Sequence, residues 1–164
     1  TKAVAPHMIL RQSGMIVNMA SVSGVCATPF AGAYCATKAA VNLFSDSLRL
    51  ELAPFGVEVI TVQPGKIKSS FGDAAAQKIG CYDSSFYAPV ADVIARRASM
   101  SQEGAMPAEV FSKILVNRLF RTKVPKLIRI GNESTRLPLL KKLPINLLDQ
   151  IMERKFELDK LKRK

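Results

Sequence analysis

Three short runs of apolar, largely β-branched residues punctuate the chain, each bounded by turn residues. Residues 15–19 follow Ser13 and Gly14, residues 57–62 follow Gly56 and lead into Pro64 and Gly65, and residues 127–130 end at Gly131. Such runs predict buried strands. Between the first two, Val41, Phe44, Leu48 and Leu52 recur at helical spacing and predict a helix over residues 32–53. Pro54, Phe55 and Gly56 stop it. Strand, long helix and strand form a right-handed βαβ unit in a parallel sheet, so the class is α/β. Sites in such sheets lie at the carboxyl ends of the strands.

Beyond Gly65 the pattern loosens. Residues 66–105 are rich in Ala, Ser and Gly, with weak helical stretches at 74–79 and 90–99, and read as a substrate lid. Pro107 opens a helix running to about Arg121. Residues 136–143 are basic, apolar and Pro-punctuated. A last amphipathic helix is expected from Asn146, with Leu147, Ile151 and Leu158 on one side. At the other end, residues 1–11 have a helical pattern that starts at Thr rather than Met, which predicts a fragment or a processed chain.

Composition adds a few exclusions. With 164 residues, 48% hydrophobic and 23% charged, the chain is long and apolar enough for a packed core. Cys26, Cys35 and Cys81 are odd in number and form no Cys-x-x-Cys pair, so a disulfide framework or structural zinc is not expected. No metal site is predicted. The net charge of +11 comes without aromatic interleaving or a nucleic-acid motif, so no nucleic-acid partner is expected. From residue 136 to 164, nine Lys/Arg face four Asp/Glu. That surplus is either a solvated helix face or a contact with an anionic surface. Peripheral membrane contact through residues 137–164 is one expectation.

Candidate chemistry centres on Tyr34 and Lys38. Residues four apart share a helix face, and an ammonium beside a phenol favours the phenolate. Tyr34 could then exchange a proton with an alcohol or carbonyl. Ser21 lies thirteen residues earlier, just past a strand end, where its hydroxyl could hold the same oxygen. A lone Tyr-x-x-x-Lys is usually a solvated pair. Here it opens a long helix, follows a Ser-x-Ser-Gly turn and precedes a strand ending in Pro-Gly. Ser23 competes with Ser21 for its role. His7, the only histidine, has no partner that would make it catalytic.

The segments Asn18-Met19-Ala20-Ser21-Val22-Ser23-Gly24, Tyr34-x-x-x-Lys38 and Pro64-Gly65-x-x-x-Ser69 together resemble successive signatures of the short-chain dehydrogenase/reductase family. The resemblance extends over most of the chain and is nearest to hydroxysteroid and retinol dehydrogenase types and acyl-dihydroxyacetone-phosphate reductases. It implies the C-terminal, catalytic half of a Rossmann-type doubly wound parallel sheet, with residues 1–135 as the catalytic half and 136–164 as a basic amphipathic extension. It implies that the full-length parent is a nicotinamide-dependent oxidoreductase acting on an apolar secondary alcohol or ketone, with NADP(H) preferred to NAD(H), and that this chain alone is inactive.

By the same resemblance Tyr34 is the general acid/base and Ser21 orients the substrate oxygen. Lys38 lowers the Tyr34 pKa and holds a cofactor ribose. Pro64, Gly65, Ile67 and Ser69 face the cofactor. Lys66 either approaches a cofactor phosphate or points to solvent, the latter being favoured. Phe71, Tyr82, Phe86 and Tyr87 could line an apolar pocket. A homo-oligomer built through the long helix and a cytoplasmic setting, with contact at a membrane surface, are further expectations. The family's glycine-rich pyrophosphate turn is absent and would precede Thr1. The alternative reading is therefore a non-catalytic fragment that serves only as a binding or membrane-associated module.

Overall fold

A computed structural model describes residues 1–70 and 84–161. Its centre is a parallel sheet of three strands in the order β1 (Gly14–Met19), β2 (Val57–Pro64) and β3 (Leu127–Ile130). Gly14 pairs with Val57 and Met19 with Val62, while Thr61 pairs with Leu127 and Pro64 with Ile130. The central strand β2 is buried almost throughout, as its run of Val and Ile requires.

Alternation along β2 sends its side chains to two layers. Val57 and Val59 join Ile16, Leu52 and Leu48 beneath helix α2 (Gly32–Leu52). Ile60 and Val62 join Ile128, Ile130 and Phe111, the last from a helix on the opposite face. The helices follow in chain order as α1 (Ala5–Leu10), α2, α3 (Ala91–Ser99), α4 (Ala108–Leu119), α5 (Arg136–Leu140) and α6 (Ile145–Lys155). Phe111 belongs to α4, so α2 and α4 cover the two faces of the sheet.

Two boundaries differ from the pattern-based reading, each for a local reason. The first helix begins at Ala5 rather than Thr1, because Pro6 belongs in a first helical turn. The last begins at Ile145, where the Pro144 carbonyl accepts from the Leu147 and Leu148 N–H groups. Its inward side is Leu148, Met152 and, just past the helix, Phe156; Leu147 is half exposed. The expected side of Leu147, Ile151 and Leu158 is thus displaced by one residue. The weak helical stretch expected at residues 74–79 lies outside the described residues.

The inner face of α2 is also more polar than its apolar spacing suggests. Phe44 faces solvent, 57% exposed, while Ser45 is wholly buried. Ser45 accepts from Asn18 Nδ2 at 2.9 Å and donates to the Val41 carbonyl at 2.6 Å. Asn42 accepts from Gln63 Nε2 at 3.0 Å. A helix can turn such residues inward when each finds a partner.

The C-terminal segment closes the structure. Leu148, Met152 and Phe156 form one core with Cys26, Val90 and Val93, with Phe30 and Leu137 packed against it. The apolar residues considered for membrane contact therefore divide: these are buried, while Leu139, Ile145 and Leu147 remain exposed. Among the described residues no helix is long and apolar enough to cross a membrane.

Candidate active site

The carboxyl ends of all three strands open on one cavity of about 510 Å³. Ser21 follows β1, Gly65 follows β2, and Asn132 and Glu133 follow β3; all four line it. Tyr34, in the first turn of α2, lines it too. Much of the remaining wall is apolar and includes Val22, Phe30, Met100, Leu137 and Phe156.

Ser21 is held by its own turn. It is 7% exposed, and its Oγ accepts the Ser23 N–H at 3.1 Å at the head of a tight turn over Val22–Gly24. Its hydroxyl proton remains to be donated. Gly24 makes the arrangement possible: a Cβ there would sit 2.5 Å from the Lys38 carbonyl carbon and 2.6 Å from its oxygen. Only a residue without a side chain lets this turn lie against α2. Ser23 also lines the cavity, so both candidate serines reach the same space.

Lys38 sits one turn after Tyr34, its ammonium 6.0 Å from the phenol ring centre. It donates to the Met19 carbonyl at 3.1 Å, which anchors it at the end of β1. Lys38 is not part of the cavity wall, so it stands behind Tyr34 rather than beside the reacting space.

Pro64, Gly65, Ile67 and Ser69 all line the cavity. Gly65 is needed because the loop after β3 lies directly against it: a Cβ would collide with the Asn132 carbonyl and approach the Ser134 nitrogen to 2.8 Å. The Ser69 N–H donates to Gln102 Oε1 at 3.0 Å, and the main chain of Lys66 and Lys68 exchanges hydrogen bonds with Met106.

Lys66 does not point freely to solvent, as its sequence context suggested. Its ammonium is 2.6 Å from Glu133 Oε1, and Arg136 holds the other carboxylate oxygen at 2.9 Å. The Lys66 hydrogen bond, more than Arg136, keeps the Glu133 carboxyl below the usual carboxylate range against a weaker opposing effect of burial. This trio ties the end of β2 to α5.

The aromatic expectations divide as well. Phe86 is 94% exposed and Tyr87 half exposed, and neither lines the cavity. Tyr87 instead packs edge-on against Phe30, ring centres 5.8 Å apart, and Phe30 meets Phe156 at 6.3 Å. Phe30 has φ 63°, a left-handed conformation that costs a bulky residue energy and is tolerated where its surroundings hold it. Phe71 and Tyr82 lie outside the described residues, as does Cys81. Cys26 and Cys35 are buried free thiols, and burial raises the Cys26 thiol above its ordinary value. His7 is exposed and away from the cavity. Among the described residues no cluster of His, Cys, Asp or Glu could hold a metal ion.

Two cavity residues had no sequence signal beyond a cation in a helical run. Arg97 of α3 reaches in from the lid side and donates to Thr28 Oγ1 at 2.8 Å. Lys155, at the end of α6, lines the wall beside Phe156. Burial, and then the nearby Arg136, hold its ammonium below its ordinary value.

The short chain dehydrogenase family model matches residues 1–80. Those residues are homologous to the short-chain dehydrogenases. The match falls on the N-terminal half of the chain, the part with the Rossmann-type strand–helix–strand. It corrects the expectation of a C-terminal catalytic half: the family likeness is seated in an N-terminal Rossmann segment.

Among curated proteins, the short-chain dehydrogenase cctT of Talaromyces islandicus is 32% identical over 98% of this chain and 57% of its own length. A 3-ketodihydrosphingosine reductase of Bacteroides thetaiotaomicron is 43% identical over 44% of this chain and 27% of its own. The chain thus spans little more than half of the first relative and about a quarter of the second. A crystal structure of a short-chain dehydrogenase from Streptomyces avermitilis superposes with a TM-score of 0.67 at 24% identity, covering 98% of this chain and 55% of that one. The shared fold is an α/β arrangement with a parallel sheet.

Tyr34 and residues 64–67 line one cavity at the carboxyl ends of the strands, the place where a parallel α/β sheet ordinarily receives a dinucleotide. The nine glycines contain no G-x-G-x-x-G run, so the usual cradle for the pyrophosphate is not among these residues.

Proposed function

We propose that the protein transfers hydride between NAD(P)(H) and an apolar secondary alcohol or ketone, with Tyr34 as general acid/base. The observation that carries this reading is the meeting of Ser21 and Tyr34 in one cavity with residues 64–67, at the carboxyl ends of parallel strands. In the reducing direction, a nicotinamide held beside Tyr34 and residues 64–67 would supply the hydride that reaches the carbonyl carbon. The Tyr34 hydroxyl gives its proton to the carbonyl oxygen, so the C=O π pair ends as an O–H bond. Ser21 donates a hydrogen bond to that oxygen and strengthens it as negative charge develops. Lys38, anchored on the Met19 carbonyl, holds the helix that carries Tyr34 against the end of β1.

The apolar wall of Val22, Phe30, Met100, Leu137 and Phe156 supports an apolar substrate. So does the likeness to a relative named as a 3-ketodihydrosphingosine reductase. NADP(H) is the proposed form of the cofactor, by resemblance to lipid-directed reductases. The exposed apolar side of α2, with Leu43 71%, Phe44 57% and Leu50 67% exposed, supports self-association through this helix.

The test is isotopic. With nicotinamide deuterated at C4 and a panel of long-chain ketones, deuterium is expected at the new carbinol carbon by mass spectrometry. A full panel without label transfer, under conditions where a known reductase labels the same ketones, removes the oxidoreductase reading.

A further inference from the structure

Arg97 is placed where a structural cation would ordinarily have a carboxylate. It lies in the cavity wall, and among the described residues its Nη2 finds only the neutral Thr28 hydroxyl. Its Nε is buried and has no hydrogen-bond partner among the described residues. Burial pulls the guanidinium below its ordinary value, and Cys35 and Tyr34 are near enough to act on it electrostatically. An arginine held this way retains unused donors in a planar fork, the geometry that suits carboxylate and phosphate oxygens.

The charges around it point the same way. The described ionisable residues lining the cavity include Lys66, Arg97, Arg136 and Lys155 against Glu133. Glu133 is already bridged by Lys66 and Arg136. Arg97 and Lys155 have no carboxylate partner among the described residues. The Lys155 ammonium lies 5.6 Å from the centre of the Phe156 ring. Arg97 is half-buried with its Nε enclosed, where an unmet donor is costly, while Lys155 is exposed and free to turn its ammonium to a ligand in this mostly apolar wall.

We infer that Arg97 and Lys155 bind an anionic group, a carboxylate or phosphate monoester, carried by the substrate of this cavity, so that the substrate is an amphiphile with an apolar body and one charged end. This rests on the oxidoreductase reading for the word substrate, but the binding itself does not require turnover. Arg97 and Lys155 come from the lid helix α3 and the last helix α6, whereas the stretch assigned to the nicotinamide is residues 64–67. The same chemistry could serve a cofactor phosphate, and the experiment separates the two sources.

Calorimetric titration of the protein uses decyl phosphate, decanoate and decan-1-ol as probes, with adenosine 2′,5′-bisphosphate for the cofactor side. Decyl phosphate and decanoate are expected to bind at least about tenfold more tightly than decanol, the difference shrinking as salt rises. Arg97→Gln and Lys155→Gln should each remove most of that preference and leave decanol affinity unchanged. Circular dichroism checks that each variant is folded; if Arg97→Gln is not, Lys155→Gln carries the test.

Equal affinity for decanol and decyl phosphate in the native protein overturns the inference, as does an unaltered preference in a folded variant. A loss of bisphosphate binding that matches the loss of decyl phosphate, with the two probes competing, assigns the cations to the cofactor and also overturns it. A preference that holds while label transfer fails would leave the anion site standing and remove only the catalysis.

Discussion

The Lys38 ammonium donates to the Met19 carbonyl at 3.1 Å, so the helix that carries Tyr34 is pinned to the strand that delivers Ser21. One bond thereby fixes the approach of two elements whose side chains meet in the cavity. Lys38→Met keeps the length of the side chain and removes the donor. The expected loss is about 1 kcal/mol, the scale of one hydrogen bond from a charged group at a partly exposed site. Urea denaturation measures it; Lys38→Arg should recover part of the loss.

Gly24 lets the Ser21 turn lie on α2. The Cβ of Gly24→Ala would meet backbone, not a movable side chain, at 2.5 Å. Overpacking of this kind costs about 1–3 kcal/mol. Urea denaturation of the variant reads the cost, and the displaced Ser21 should reduce turnover beyond what the lost stability explains.

Phe156 joins the last helix to the lid. It is 1% exposed and borders both the C-terminal core and the cavity. Phe156→Ala should cost about 3–5 kcal/mol. A smaller cost would mean that the C-terminal segment lies loosely on the body, which limited proteolysis would show independently.

Glu133 gives a pH signature. Its folded-state pKa lies below the unfolded value, first because Lys66 hydrogen-bonds it. Its contribution is therefore present in full above the unfolded value near 4.3 and is lost as pH falls through the folded value. Because the side chain is 39% exposed, solvent screening limits the contribution to less than about 1 kcal/mol. Glu133→Gln should be less stable than the native protein at pH 7, and the gap should close below about pH 4. Denaturation at the two pH values decides; a gap that widens in acid would refute the assignment.

Much of the sheet was legible because β-branched runs bounded by Gly and Pro have few other uses. Leu127–Ile130 emerged with its predicted bounds, and β1 and β2 gained only one and two residues. The face of α2 was less legible. Its apolar spacing named Phe44, but burial is decided by partners, and Asn42 and Ser45 found theirs on Gln63 and Asn18. The site divides in the same way. Ser21, Tyr34 and residues 64–67 occur as short motifs near strand ends. Arg97 and Lys155 come from distant helices, and no local spacing shows that α3 and α6 lean over the same cavity. Lys66 was misplaced for a related reason: its partner Glu133 lies far along the chain and comes near only because β3 pairs with β2.

Turnover by Tyr34→Phe tests the central claim most directly. The substitution removes one oxygen and keeps the ring above which Lys38 sits. Followed as nicotinamide absorbance with a ketone that the native protein reduces, kcat should fall by at least about 10²-fold, the scale of a lost general acid. Cofactor affinity and melting temperature should stay near native. A kcat within a few-fold of the native value would show that the proton comes from elsewhere.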